Sequence, residues 1–307
     1  MTEPARSVEA LVVRGRTVDL SRPVLMGIVN ATPDSFSDGG EHPDTAARVA
    51  RAVEVVEQGA TIVDVGGQSG ITGVPEVPAG DEIARVVPVV EGIRVSCPDV
   101  VISVDTYKPP VVEAVLAAGA DIVNDVSGLL YPEVATLCAD AGAGLVIMHN
   151  RSRPKQRLTD PLLYDDVTDD VVWFLTDKLD EAERHGMARG TMIVDPGPDF
   201  AKTPHQTVEV LRRLDDVREL GRPVLLALSR KDFIGAITER SPRQRLGGTL
   251  AAVGHLAGPG TILRVHDVAA VADYLAVAAV LSGEARVAPD TQLAPELRRE
   301  PPPQTTR

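Results

Sequence analysis

The chain has 307 residues, which is enough for one large α/β domain or two small ones. Its formal net charge of -13 at pH 7 argues against non-specific binding to nucleic acid or to anionic lipid. Hydrophobic residues make up 44% of the sequence and aromatic residues only 3%, so we expect a packed core built mostly from Val, Leu, Ile and Ala.

Cysteine usage and hydropathy indicate the cellular compartment in which the protein is expected. Cys97 and Cys138 belong to no CxxC motif or Cys/His cluster, which argues against a zinc site or a disulfide scaffold. The first residues, MTEPARSVEAL, contain no apolar signal segment, and no run of about 18 apolar residues predicts a membrane helix. We therefore expect reduced thiols and a cytoplasmic protein.

The order of elements predicts a barrel. Residues 10–20, ALVVRGRTVDL, predict a small β-hairpin, and after it short apolar runs alternate with longer helical runs. The strand-like runs are 24–30, 61–67, 101–106, 121–127, 144–150, 192–197, 224–229 and 261–267. Eight β/α units over about 250 residues are the count of a (β/α)8 TIM barrel, with an open doubly wound sheet as the alternative.

The domain organisation follows from the same pattern. We assign residues 1–287 to one barrel domain that begins with the hairpin. The remaining segment, 288–307, is rich in Pro and polar residues, so we expect a disordered tail.

Polar residues fall near the carboxyl ends of the predicted strands, where the chemistry of such barrels is found. They are Asn30, Asp64, Asp105, Asn124, His149, Asp195, Ser229, Arg264 and His266, with Lys231 two residues beyond the seventh strand. Singly, such residues are often strand-end caps or turn formers. Together, two carboxylates, an amide and a lysine suit a flat heterocycle that has both donor and acceptor edges.

The stretch TILRVHDV, residues 261–268, carries a second signal. Alternate residues of a strand point the same way, so Arg264 and His266 share one face. With the helix that follows Asp267, they predict a phosphate or pyrophosphate site. The alternatives are an ion pair of Arg264 with a barrel carboxylate and a buried, hydrogen-bonded imidazole for His266.

The stretch GIVNATPDSFSDGG, residues 27–40, loses its periodicity after the strand. A loop of this composition beside an anion site could carry a divalent cation through Asn30 and Asp38. Phe36 could cover an aromatic substrate. An ordinary polar loop is the alternative.

Eight stretches of the chain, between about residues 10 and 285, resemble those of dihydropteroate synthases, which belong to the wider pterin-binding barrel family. In chain order they are GIVNATPDSFSDGG, TIVDVGGQS, VISVDTYKP, IVNDVSG, VIMHN, IVDPG, ALSRKDFIG and ILRVHDV. The resemblance implies a (β/α)8 barrel, a homodimer and a transferase reaction. That reaction joins a 6-hydroxymethyl-dihydropterin pyrophosphate to the aryl amine p-aminobenzoate and releases pyrophosphate.

The resemblance also implies roles for single residues. The pterin pocket corresponds to Asp105, Asn124, Asp195 and Lys231. The pyrophosphate and Mg2+ site corresponds to Asn30, Asp38, Arg264 and His266, and the aromatic residue of the acceptor side to Phe36. We assign catalysis to Asp105, Lys231, Arg264 and His266, because a polyanionic leaving group needs positive charge and no covalent nucleophile is required.

The sequence departs from the family pattern on the acceptor side. Gly70, Ile71 and Thr72 replace the usual Thr, Arg and Pro, and an isoleucine cannot bind an anion. Asp199 replaces a glycine, and Asp232 replaces a non-acidic residue that lies near the carboxylate of p-aminobenzoate in the family. Two carboxylates side by side repel each other.

Three explanations remain open for these departures. The chain is a synthase with a rearranged acceptor site, an enzyme with a neutral or cationic acceptor, or a non-catalytic paralogue that binds the pterin. A pterin-dependent methyl carrier shares this barrel, but Arg264 and His266 argue against it because a methyl donor needs no pyrophosphate pocket.

Overall fold

The computed structural model of the chain describes residues 8–31, 45–68 and 73–299. Eight parallel strands form a closed barrel in chain order, and the last strand pairs with the first. They are β3 (Val24–Asn30), β4 (Ile62–Gly66), β5 (Val101–Asp105), β6 (Ile122–Asp125), β7 (Gly144–Met148), β8 (Met192–Asp195), β9 (Val224–Leu226) and β10 (Thr261–Val265). The predicted (β/α)8 barrel is confirmed, and the open sheet is wrong.

Helices cover the outside of the barrel. They are α1 (Thr45–Glu57), α2 (Ala79–Ser96), α3 (Pro109–Ala117), α4 (Glu133–Ala141), α5 (Val167–Arg184), α6 (Pro204–Arg212), α7 (Leu214–Arg218), α8 (Asp232–Thr238), α9 (Leu246–Leu256) and α10 (Val268–Leu281). Every residue of β4 and β7 is buried, because helices pack on the outer face and side chains fill the interior. This is why the strands read as continuous apolar runs rather than as alternating ones.

The predicted N-terminal hairpin is present as β1 (Ala10–Val13) and β2 (Arg16–Asp19), which pair antiparallel. Its turn residues, Arg14 and Gly15, both have positive φ, as the commonest two-residue hairpin turns require. Its apolar side chains, with those at the amino-terminal ends of the barrel strands, form one buried cluster. The hairpin therefore closes the amino-terminal end of the barrel.

The carboxyl-terminal segment contains little regular structure. After α10, residues 288–299 contain one short 3-10 turn at Pro295–Leu297. Residues 300–307 lie outside the described part of the chain. Within the ranges described above, no helix has the length and apolarity needed to cross a membrane.

Candidate functional site

A cavity of about 310 Å³ opens at the carboxyl ends of the barrel strands. All of the predicted site residues that the structure describes line it, namely Asn30, Asp105, Asn124, Asp195, Lys231, Arg264 and His266. The sequence therefore located one shared cavity from residues in or just after six separate strands. The other two predicted site residues, Phe36 and Asp38, lie outside the described residues.

Arg264 lies between two carboxylates at the floor of this cavity. Its Nε donates to Asp64 Oδ2 at 2.6 Å, and its NH2 group donates to Asp105 Oδ2 at 2.9 Å. Although burial acts against it, the carboxylates of Asp64 and Asp105 raise the pKa of Arg264, so the guanidinium stays charged. The ion pair considered as an alternative therefore exists, and the same side chain still faces the cavity.

Asp64 holds the residues beneath the cavity in place through its hydrogen bonds. It is fully buried and accepts hydrogen bonds from Ser103 Oγ at 2.6 Å and from Asn124 Nδ2 at 3.3 Å. Sequence reasoning placed Asp64 at the rim without a role. Its contacts show that it fixes the orientation of both the arginine and the amide that face the cavity.

Two groups in the cavity, the buried Asn124 and the partly exposed Asp105, are suited to accept N–H bonds. Asn124 Oδ1 is buried and has no hydrogen-bond partner within the described chain. Burial raises the pKa of Asp105, although the charge of Arg264 acts to lower it. A buried acceptor without a partner is costly unless a ligand supplies the donor, so Asn124 indicates a ligand that carries an N–H group.

Asp195 at the end of β8 and Lys231 beyond β9 form the wall next to Arg264, because β9 lies between β8 and β10 in the barrel. Asp195 is buried, and its Oδ1 accepts the backbone N–H of Gly197 at 2.7 Å. Lys231 donates to the carbonyl of Pro198 at 2.9 Å, and its Nζ lies 4.4 Å from the centre of the Phe200 ring. Burial raises the pKa of Asp195 and lowers that of Lys231, because it disfavours the charged form of each.

His266 faces the cavity from just beyond the end of β10. The hydroxyl of Ser229 accepts its backbone N–H at 3.3 Å and lies 3.1 Å from its Nδ1. We assign the hydroxyl proton to the Nδ1 contact, which leaves the Nε2 proton for a ligand. Burial lowers the pKa of His266 to about 4, so this side chain donates a hydrogen bond as a neutral imidazole rather than as a cation.

The acceptor side shows how the two described departures from the family pattern are accommodated. Asp199 has a φ of 65°, and its carboxylate accepts the backbone N–H groups of Asp232 at 2.5 Å and Phe233 at 3.3 Å. The carboxylate of Asp232 forms an ion pair with Arg245 at 2.9 Å. Both acids line a second cavity of about 360 Å³ that also contains Lys231. The remaining departures, residues 70–72, lie outside the described residues.

A buried network supports the turn that carries Asp199. Lys202 Nζ lies 2.7 Å from His149 Nδ1, and it also donates to the carbonyls of Gly197 and Phe200 at 3.1 Å. On the other side of the ring, His149 Nε2 lies 2.9 Å from Asp170 Oδ1. Burial lowers the pKa of His149 to about 3, so the ring is neutral, accepts from Lys202 and donates to Asp170. His149 is thus a support and not a wall of the cavity.

Sequence reasoning missed the basic loop, which we define as residues 151–157, RSRPKQR. Arg153 and Lys155 line the first cavity, and Arg157 lines the second. A signal was present, because four basic residues within seven positions are unusual in a chain of net charge -13.

Comparison with known proteins agrees with this geometry. The model of the family described as pterin binding enzyme matches residues 26–266. The chain is 39% identical over 259 residues to a dihydropteroate synthase of Escherichia coli K12, which covers 84% of this chain and 91% of the relative. It is 40% identical over 252 residues to that of Synechocystis, with 80% and 86% covered.

Solved structures give the same result. Dihydropteroate synthase of Xanthomonas albilineans with 4-aminobenzoic acid is similar at a TM-score of 0.81 and 40% identity, over 89% of this chain and 98% of that chain. The Burkholderia cenocepacia enzyme, complexed with 7,8-dihydropteroate, is similar at 0.79 and 34% identity, over 91% and 98%.

The chain therefore belongs to the pterin-binding enzymes, the class that this barrel and its polar cavity define. Its relatives within that class are dihydropteroate synthases, and the protein is a transferase of that type, as the resemblance of its motifs predicted.

Proposed function

We propose that the protein condenses 6-hydroxymethyl-7,8-dihydropterin pyrophosphate with p-aminobenzoate, releases pyrophosphate and so forms dihydropteroate in folate biosynthesis. One observation carries the proposal: all seven predicted site residues that are described line a single cavity. The relatives at about 40% identity and the neighbour that holds 4-aminobenzoic acid support the same reaction.

The pterin binds among Asp105, Asn124, Asp195 and Lys231. The carboxylates and Asn124 Oδ1 accept from the ring N–H and amino groups, and Lys231 donates to the ring. Held in this way, the electron-rich pterin can share the positive charge that develops on its methylene carbon.

The leaving group binds on the side of Arg264 and His266. As the C–O bond to pyrophosphate breaks, Arg264 stabilises the growing negative charge, and the Nε2 proton of His266 donates a hydrogen bond to it. The aryl amine then attacks the methylene carbon and loses a proton. We propose a dissociative displacement, because the pterin can stabilise a cationic methylene carbon while Arg264 and His266 stabilise the departing pyrophosphate.

We also propose Mg2+ as the cofactor of this step. Asn30 offers an amide oxygen to the cavity, but among the described residues no group of three or more His, Cys, Asp or Glu side chains could hold a metal ion. Asn30 and the oxygens of the pyrophosphate would hold Mg2+, a hard cation that prefers oxygen ligands, and Asp38 remains the second protein ligand that the sequence predicts. When bound, Mg2+ would neutralise charge on the leaving group.

The test is pyrophosphate release from the pterin pyrophosphate with Mg2+, in the presence and absence of p-aminobenzoate. We expect release that depends on p-aminobenzoate, with an equal amount of pteroate formed. Binding of the pterin pyrophosphate without this release would contradict the proposed reaction. A thermal shift caused by inorganic pyrophosphate only when Mg2+ is present would support the metal.

We further propose a homodimer. Only Val268 and Val271 of the apolar helix α10 are buried, whereas the side chains of Val277 and Leu281 are mostly exposed. An apolar helix face of this kind is typical of an interface. Size-exclusion chromatography with light scattering tests it, and Val277→Asp should shift the protein toward the monomer. A cytoplasmic location stays a prediction.

A further inference from the structure

The basic loop begins at a fixed point. Arg151 donates to both carboxylate oxygens of Asp170, at 2.9 and 2.6 Å, and its guanidinium lies 5.2 Å from the ring of Phe174. Asp170 in turn contacts His149 in the buried network. Arg151 therefore attaches the loop to the barrel, and the cationic side chains of Arg153, Lys155 and Arg157 extend beyond this anchor.

We call the first cavity the donor half of the site and the second cavity the acceptor half. The three side chains lie where these two halves meet. Arg153 and Lys155 line the first cavity, and Arg157 lines the second. The two cavities share Gln156 of the same loop, together with Phe200 and Lys231. A molecule that enters the second cavity and reaches the pterin must therefore pass along the basic loop.

The basic loop is also joined by a hydrogen bond to Gly73. The carbonyl of Lys155 accepts the backbone N–H of Gly73 at 2.9 Å, and Gly73 directly follows the altered residues Gly70, Ile71 and Thr72. Lys155 holds a left-handed backbone, with a φ of 66°, which is uncommon for a residue other than glycine. This hydrogen bond fixes the backbone of Lys155 to that of Gly73.

Several donors beside Asp199 and Asp232 are already in use. The backbone N–H groups of Asp232 and Phe233 donate to Asp199, and Arg245 pairs with the side chain of Asp232. An incoming carboxylate therefore meets two acids at the place where the family offers none. It needs a cationic partner in an adjoining part of the site, because an unpaired carboxylate loses its hydration without compensation.

We infer that Arg153 and Lys155 of the basic loop bind the carboxylate of the aryl amine acceptor. The inference rests on the proposed function and adds to it the residues that select an anionic acceptor. The side chain of Lys155 lines the first cavity together with Asp105 and Glu82. It therefore lies close to the donor half as well.

The experiment compares two acceptors of equal shape, p-aminobenzoate and its neutral amide p-aminobenzamide. The KM of each is measured with saturating pterin pyrophosphate for the wild type, for Arg153→Ala with Lys155→Ala, and for Lys155→Arg. We expect the double variant to raise the KM of p-aminobenzoate about tenfold, since charge-assisted hydrogen bonds are the strong ones. The KM of the amide should stay constant, and Lys155→Arg should retain most of the preference.

The control is Arg22→Ala, which removes an exposed arginine next to the start of β3, at the opposite end of the barrel. An equal rise of both KM values in the double variant, or no rise in either, would overturn the inference. Calorimetric binding of both acceptors in the presence of pyrophosphate and Mg2+ is measured on the same variants. The binding data decide the inference even if the wild type forms no pteroate, an outcome that counts only against the proposed function.

Discussion

The donor and acceptor halves of the site are built differently. In the donor half, charged groups stand at strand ends and are fixed by other strand residues, as Arg264 is by Asp64 and Asp105. In the acceptor half, the charges stand at or next to helix starts and neutralise each other, as Asp232 and Arg245 do. The difference shows that the residues at the strand ends keep the family pattern, whereas the residues beyond the strands depart from it.

The largest effect is expected when the donor half loses its central cation. Arg264→Ala leaves two carboxylates without their partner and removes charge stabilisation from the leaving group. We expect kcat/KM to fall about 10²- to 10³-fold and the free energy of unfolding to fall by about 3–5 kcal/mol. Steady-state kinetics and urea unfolding measure the two losses.

Arg264→Lys is the matched comparison, because it keeps the charge but cannot span both carboxylates. It should recover part of the stability and little of the activity. If Arg264→Ala unfolds at the same urea concentration as the wild type, the two ion pairs do not support the barrel and this view of the donor half is wrong.

A somewhat smaller effect is expected at Asp195, on the wall that Asp195 and Lys231 form. Asp195→Asn removes one carboxylate acceptor while keeping the shape, so the charge-assisted hydrogen bonds to the pterin are lost. We expect kcat/KM for the pterin pyrophosphate to fall about 10- to 100-fold. Asp290→Asn, an exposed aspartate beyond α10, is the control and should have no effect.

The support beneath the acceptor half should respond to pH. Burial lowers the pKa of His149 to about 3, below its unfolded value of about 6.5. The unfolded chain therefore binds the proton first as the pH falls. The stabilisation that depends on neutral His149 is present above pH 6.5 and is lost as the pH falls from 6.5 toward 3, by up to about 1.4 kcal/mol per pH unit.

His149→Gln should remove this part of the pH dependence, even though it lowers stability at pH 7. Unfolding by urea at pH 7 and pH 5 measures the slope for each protein. His205→Gln changes an exposed histidine at the start of α6 and serves as the control. Equal slopes in the wild type and in His149→Gln would show that the ring carries no such role.

The smallest effect is expected in the acceptor half. Asp199→Gly removes a carboxylate from the second cavity and relaxes a left-handed backbone position. We expect the KM of p-aminobenzoate to fall about threefold, which corresponds to less than 1 kcal/mol. Asp199→Asn removes the charge and keeps the side chain, so it separates repulsion from strain. An unchanged KM in both variants would mean that Asp199 does not oppose the acceptor.

Much of the fold could be predicted because the information is local. Each buried strand is a short apolar run, and the turn at Arg14 and Gly15 is marked by its own sequence. The side chains of the donor half could also be placed, since residues at the ends of barrel strands converge on one rim. Asn30, Asp105 and Asp195 needed nothing more than this rule to be grouped correctly.

The partners of these residues could not be predicted in the same way. The hydrogen bond between Arg264 and Asp64 joins residues 200 positions apart, and that between Lys202 and His149 joins residues 53 positions apart. Which carboxylate meets which cation depends on the closed order of the strands and on side-chain direction. The use of Asp199 as a partner for two backbone N–H groups depends on a loop turn that no periodicity announces.

The hairpin closes the amino-terminal end of the barrel, and the cavity opens at the carboxyl ends of the strands. Among the described residues, the cavity that contains Asn124 is lined at this end by Arg153 and Lys155 of the basic loop. We therefore expect the pterin pyrophosphate to bind before the aryl amine. We expect a bound acceptor to slow dissociation of the donor. We also expect bound product to block the next donor until the product dissociates.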